Sequence, residues 1–214
     1  MRISPMVRGL FISLDGLDGT GKSTQCRLLV HWLRNRGHVV TQCADPGGTP
    51  LGEKIRALLL DRQEEMTVAC EAFLFMASRA QLTAEIIRPA LDAGRVVVSD
   101  RFLLANVVYQ GHAGGLEPEL LWTLGRIASA GLEPDLTLIL DLPVEAALAR
   151  RKGDADRFES RAIEYQAGVR EGFLTEARRH PDRLRVIDAS SAPEIVHERI
   201  CQEVARVLAA GPRP

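Results

Sequence analysis

The sequence predicts an α/β fold in which a mainly parallel, five-stranded sheet is covered by helices on both faces. Three observations carry that expectation. Apolar runs rich in β-formers alternate with amphipathic helical patterns along the whole chain, the order of a parallel sheet with crossover helices. A glycine-rich turn from Gly16 to Ser23 joins the first strand-like run to the first helical one. Gly16, Asp45, Asp100, Asp141 and Asp188 fall just past strand-like runs, where ligands collect in open α/β sheets.

The strand runs are 9–14, 38–43, 95–99, 135–140 and 184–188. Val96-Val97-Val98 is β-branched throughout, and Leu136-Thr137-Leu138-Ile139-Leu140 is nearly all apolar, as a strand buried on both faces requires. Helical patterns span 22–36, 51–60, 67–92, 102–110, 117–130, 143–151, 158–180 and 193–209. Cys26, Leu29, Val30 and Leu33 line one side of the first. Gly37 and Gly94 stand where C-terminal caps belong. Pro143 suits a helix start, and Pro89 predicts a kink or break late in 67–92.

The length of 214 residues suits one domain with one core. We divide the chain into a short N-terminal lead-in, expected to be disordered, over 1–8 and a single domain over 9–210. A formal net charge of −1 argues against a general nucleic-acid binder. No apolar run approaches a membrane span, and the first residues lack the apolar stretch of a signal peptide. Cys26, Cys43, Cys70 and Cys201 have no C-x-x-C spacing and read as reduced thiols in a cytoplasmic chain. The five histidines form no ligand-like pair.

The turn Gly16-Leu17-Asp18-Gly19-Thr20-Gly21-Lys22-Ser23 fits G-x-x-x-x-G-K-[ST], the phosphate-binding P-loop, in its required strand–loop–helix context. Its glycines let backbone N–H groups wrap a phosphate. The helix beginning near Lys22 adds unpaired N–H groups and the positive end of its dipole. Lys22 is placed to reach β- and γ-phosphates, and Ser23, followed by Thr24, to offer a hydroxyl to Mg²⁺. The motif alone covers GTPases, motor ATPases, kinases and transporters. The guanine-selecting N-K-x-D tetrapeptide is absent.

Further residues narrow the class. Asp100 follows a strand directly and can hold Mg²⁺ through water, while Arg101 beside it can make forked bonds to a phosphate. Phe75 and Arg79, at i and i+4 on a helix, share one face. Together they suit a base pocket, although alone they fit equally a core ring and a surface cation. Asp45-Pro46-Gly47-Gly48-Thr49 has turn chemistry. The run Arg150-Arg151-Lys152-Gly153-Asp154-Ala155-Asp156-Arg157 has the mixed charge of a surface loop. Beside a P-loop it reads as a lid, about 150–158, that folds basic side chains over a transferring phosphate.

In this order and spacing the set resembles the bacterial thymidylate kinases, from about residue 9 to 208. The matching pieces also include Tyr109-Gln110-Gly111 and Pro134-Asp135-Leu136-Thr137. The resemblance implies a nucleoside-monophosphate-kinase-like three-layer fold and transfer of the ATP γ-phosphoryl group to dTMP, giving dTDP and ADP. It implies that Asp18 contacts the sugar 3′-hydroxyl and Arg101 the dTMP phosphate. Phe75 would stack on thymine and Arg79 donate to its O4. Tyr109 would crowd the 2′ position, Gln110 would lie near the base, and Asp100 would be linked to Mg²⁺. With no Arg among Leu17, Asp18, Gly19 and Thr20, and with Arg150, Arg151 and Arg157 in the lid, the chain is similar to the lid-arginine style of the family. A homodimer is implied as well. Two departures stand out. Ala44 replaces the Arg many relatives carry before the Asp45 turn, and Ala105 replaces a Ser, leaving Asn106 to supply a polar contact to the base. The competing readings are a kinase for another nucleoside or nucleotide, and a nucleotide-binding module that has lost turnover.

Overall fold

The computed structural model describes residues 8–61, 63–150, 158 and 161–212. Phe11–Gly16 forms β1, the middle strand of a five-stranded sheet. The others are β2 (Val40–Ala44), β3 (Val96–Asp100), β4 (Leu136–Asp141) and β5 (Leu184–Asp188). All pairings are parallel, in the order β2-β3-β1-β4-β5. Side-chain alternation divides the core into two clusters. Ile12, Leu14, Val96, Val98, Leu136, Leu138 and Leu140 pack with Cys26, Leu29 and Leu33 of helix α1 (Lys22–Arg34) and with Val196, Ile200 and Val204 of α9 (Pro193–Ala210). Phe11, Val97 and Ile139 point the other way, into a second cluster with helices from the middle of the chain. The result is the predicted three-layer α/β arrangement.

Those middle helices are α2 (Pro50–Leu60), α3 (Val68–Leu82), α4 (Arg88–Asp92), α5 (Leu103–Asn106), α6 (Pro118–Ala128), α7 (Val144–Ala149) and α8 (Ile163–Arg179). Their ends follow local chemistry. Thr49 Oγ1 accepts from Gly52 N–H at 2.9 Å and caps α2, and Thr67 caps α3 through Cys70 N–H at 3.2 Å. After α1, His38 N–H reaches back to Leu33 O while Gly37 takes positive φ. After α4, Arg95 N–H reaches Ala90 O while Gly94 does the same. Both are the expected glycine-capped ends.

Three boundaries differ from expectation. The break assigned to Pro89 falls one turn earlier, as a π-helical turn at Thr83–Ile87 in which Arg88 N–H bonds Thr83 O. Proline has no N–H to continue the ordinary ladder, and a wider turn absorbs the mismatch. The single helix expected over 102–110 is instead the short α5 followed by a second π-helical turn, Val107–His112. Helix α8 begins at Ile163 rather than 158. Of the expected lead-in, 1–7 lie outside the described residues, and Arg8 pairs with buried Asp135 at 3.1 Å.

Candidate active site

Sheet order sets the site. β2, β3 and β1 are neighbours, so the segments leaving their carboxyl ends lie side by side: the Asp45 turn, Asp100-Arg101 and the P-loop. A cavity of about 640 Å³ opens over them, within the size range of small-molecule sites. Its walls include Asp18, Gly19, Gly21, Lys22, Ser23 and Thr24 from the P-loop and α1, Asp45 and Pro46 from the first turn, and Asp100 and Arg101. Phe75, Arg79, Asn106, Tyr109 and Gln110 line it as well.

The P-loop is built as its motif demands. Gly16, Gly19 and Gly21 all have positive φ. At Gly19 a side chain would also be blocked, since a Cβ would lie 2.1 Å from Ala147 O. Leu17 contributes only its backbone: its side chain is core, and its carbonyl accepts from Thr20 Oγ1 and Lys22 Nζ, each at 2.8 Å. Lys22 Nζ lies 3.4 Å from Asp18 Oδ1. Burial, assisted by the positive charge of Arg101, holds the Lys22 ammonium below the ordinary lysine value. Ser23 Oγ donates to Asp100 Oδ2 at 2.7 Å. This pair of hard oxygen donors beside a phosphate cradle fits Mg²⁺, which is held by one or two protein oxygens and completed by substrate oxygens and water. Among the described residues no cluster of three or more His, Cys, Asp or Glu side chains forms a closed metal site.

Arg101 is the most constrained residue of the site. Its φ is 68°, a left-handed conformation rare outside glycine, and Ser99 Oγ donates to its carbonyl at 2.7 Å. The guanidinium donates to Gly16 O at 2.9 Å, Asp18 Oδ1 at 2.7 Å and Tyr109 Oη at 3.1 Å. It lies 5.0 Å from the centre of the Tyr109 ring. Such backbone strain persists only where surrounding contacts over-determine it. Asp18 therefore bridges the two cations, Lys22 and Arg101.

Arg79, expected to donate to a base carbonyl, lines the cavity as a buried, multiply bonded side chain. It is 1% exposed. Nε donates to Asp45 Oδ2 at 2.6 Å, and NH1 donates to Asn106 Oδ1 and Met76 Sδ, each at 3.1 Å. Its NH2 group makes only a long contact to Phe102 O, at 3.5 Å. A guanidinium has five N–H donors, so the NH2 end keeps capacity for a ligand. Phe75 lines the cavity with its ring 5.7 Å from that of Phe158, tilted by 56°. Asn106 Nδ2 donates to Gln110 Oε1 at 2.7 Å. Tyr109 and Gln110 project from the second π-helical turn, a distortion frequent at functional sites.

A second cavity, of about 560 Å³, lies across the P-loop between Gly19–Thr24 and the segment 189–193 after β5. Arg150 lies between the two cavities, and its guanidinium donates to Ala189 O at 2.9 Å and Ser190 O at 3.3 Å. Arg151, Lys152 and Arg157 lie outside the described residues. Of the residues just past strand ends, of which some were expected to line one crevice, Asp45 and Asp100 line the first cavity, while Asp141 is held by Arg170 through bonds of 2.7 and 2.9 Å and Asp188 pairs with Arg199.

Sequence reasoning missed several groups. Arg56 and Glu53 of α2 line the first cavity, with Arg56 NH1 donating to Pro46 O at 2.9 Å and Glu53 Oε1 accepting from Gly48 N–H at 2.7 Å. Asp15, near the end of β1, is fully buried, and among the described residues neither of its carboxylate oxygens has a hydrogen-bond partner. Burial pushes its carboxyl up to about 7, against the pull of Arg101 and Lys22. Glu71 precedes Phe75 by four residues and Arg79 by eight. Extending the i, i+4 stripe back one turn would have found it.

A P-loop facing a fixed guanidinium across one cleft, on a parallel sheet of this order, defines a P-loop phosphotransferase of the nucleotide-kinase type. The family model described as thymidylate kinase matches residues 14–200. The chain is 50% identical over 192 residues to the thymidylate kinase of Rhodopirellula baltica, covering 90% of this chain and 78% of that protein. It is 47% identical over 212 residues to that of Symbiobacterium thermophilum, covering 96% and 99%. The crystal structure of thymidylate kinase from Ehrlichia chaffeensis superposes with a TM-score of 0.76 at 28% identity, over 92% of this chain and 99% of that one. The chain belongs to the thymidylate kinase family.

Proposed function

We propose that this protein transfers the γ-phosphoryl group of ATP to dTMP, releasing dTDP and ADP. The observation that carries the reading is Arg101, held rigidly on Gly16 O, Asp18 and Tyr109 at the edge of the P-loop, in the same cavity as Phe75 and Arg79. The family supports it.

The sheet order supports a reading with one substrate on each side of β1. ATP lies along Gly16–Thr24, with its adenosine in the second cavity against 189–193 and Arg150. dTMP lies over the ends of β2 and β3. Arg101 holds its phosphate, Phe75 stacks on thymine and the NH2 end of Arg79 donates to O4. Asn106 and Gln110 border the base, Tyr109 crowds the 2′ position, and Asp18 meets the 3′-hydroxyl. Ser23 and Asp100 would hold Mg²⁺, which supplies neutralising charge to the donor phosphates. Lys22 stabilises charge on the moving group, joined by the lid residues Arg151 and Arg157. The acceptor is already an anionic phosphate, so positioning and electrostatics suffice without a strong general base. We read residues 9–210 as one domain with a lid at about 150–158.

The free thiols of Cys26, Cys43, Cys70 and Cys201 suit a reducing cytoplasm. No helix among the described residues is long and apolar enough to cross a membrane. A homodimer is part of the same reading: α3 and α6 pack together and leave Phe73, Leu120 and Ile127 exposed, a pattern of interaction faces.

Release of ADP from purified protein with Mg-ATP and, in turn, dTMP, dUMP, UMP and thymidine tests the substrate. We expect dTMP to give the highest kcat/KM and UMP to be excluded. Preference for thymidine or UMP, or no ADP with dTMP, refutes the reading.

A further inference from the structure

A continuous polar line runs beneath the base side of the cavity. It begins at Arg161, just before α8, whose guanidinium pairs with Glu71 Oε1. Glu71 Oε2 accepts from Gln110 Nε2 at 3.2 Å. Gln110 Oε1 accepts from Asn106 Nδ2 at 2.7 Å, and Asn106 Oδ1 accepts from Arg79 NH1 at 3.1 Å. Arg79 then closes on Asp45. Glu71, Gln110, Asn106, Arg79 and Asp45 are all at most 3% exposed.

The line has a direction. An ionised carboxylate only accepts, and a guanidinium only donates. Glu71 therefore requires the amine end of the Gln110 amide, which turns Gln110 oxygen toward Asn106. That oxygen requires the amine of Asn106, which leaves Asn106 oxygen for Arg79. With both amides reversed, the Asn106 amine would face the Arg79 guanidinium, donor against donor, and Gln110 oxygen would face the Glu71 carboxylate. Buried amides left in that state are costly. The anion at position 71 and the Arg79 guanidinium thus set, from opposite ends, the orientation of two amides that border the pocket. Arg161 stabilises that anion where water cannot, and is itself seated over the rings of Phe158 and Tyr165, 4.9 and 4.6 Å from their centres.

We propose that Arg161 and Glu71 are positioning residues for pyrimidine selection: they lock the Gln110 and Asn106 amides in the orientation that leaves donors, rather than acceptors, at the position-4 edge of the base. Thymine presents an acceptor oxygen there and cytosine a donor amine. This rests on the dTMP-kinase reading above.

The test compares wild type with Glu71→Gln, Arg161→Ala and Arg161→Lys. Glu71→Gln keeps shape and removes the charge, so the amide orientation is held from the Arg79 end alone. In it and in Arg161→Ala we expect the preference for dTMP over dCMP to fall by about tenfold, through KM for dTMP, with KM for ATP unchanged. Arg161→Lys should retain most of the preference. Losses equal for ATP and dTMP, or an unchanged preference in both variants, overturn the proposal. A second readout needs no turnover. The side-chain amide NMR signals of Gln110 and Asn106, assigned by substitution, should exchange slowly with solvent in wild type and lose that protection in Glu71→Gln. Unchanged protection overturns the proposal even if wild type proves inactive on dTMP, an outcome that would count against the substrate reading alone.

Discussion

Asp15 carries an energetic cost that its neighbours only partly offset. It sits at the end of a central strand, fully buried, with both oxygens lacking hydrogen bonds and a carboxyl raised from 3.8 to about 7 by burial. The native state therefore holds a proton that the unfolded chain releases near pH 4. Stability from this group is intact below that pH and is lost as pH rises through about 7. Asn at this position cannot ionise. We expect the Tm difference, Asp15→Asn minus wild type, to grow more positive between pH 5 and pH 8. A pH-independent difference in thermal unfolding would refute the assignment. Lys22, Ser23 and Arg101 were legible in the sequence because their motifs are local. The Glu71–Arg161 pairing was not, its members being 90 positions apart, a separation that no short spacing announces.

Elements were legible where periodicity dominates. All five strands lie within two residues of expectation, since each is a bounded apolar run between turn signals. The π-helical turn at Val107–His112 was not, because an i+5 ladder has no residue signature and Val107-Val108-Tyr109 reads equally as helix. Its position depends on packing of α6 against α5. Gly125 makes that contact: a Cβ there would come within 2.0 Å of Leu103 Cδ1, and Leu103 is 1% exposed. Gly125→Ala would gain helix propensity of about 1 kcal/mol, but overpacking of about 1–3 kcal/mol should outweigh it. We expect a lower Tm and a raised KM for dTMP, since Leu103 follows Arg101 by two residues. Calorimetry with kinetics checks both, and an unchanged Tm would show that the interface yields.

At the scale of the molecule, β1 divides the two cavities. Strands β2 and β3 on one side carry the walls of the first, and β4 and β5 on the other carry the 189–193 wall of the second. The same scale governs assembly. Replacing both Phe73 and Ile127, exposed by 60% and 73%, with Asp should convert a dimer to monomer in light scattering while helix content persists. A wild type that is already monomeric would refute the dimer.

The sequence by itself determined the α/β class, the phosphate cradle and several of the side chains that line the first cavity, because these depend on periodicity, glycine torsion and residues fixed within a few positions of one another. Only the tertiary structure decided which strand ends adjoin, that Arg79 is a buried hub bonded to Asp45 and Asn106, and that Asp141 pairs with Arg170 outside both cavities. Those outcomes depend on strand order and on contacts between distant segments, which no local pattern encodes.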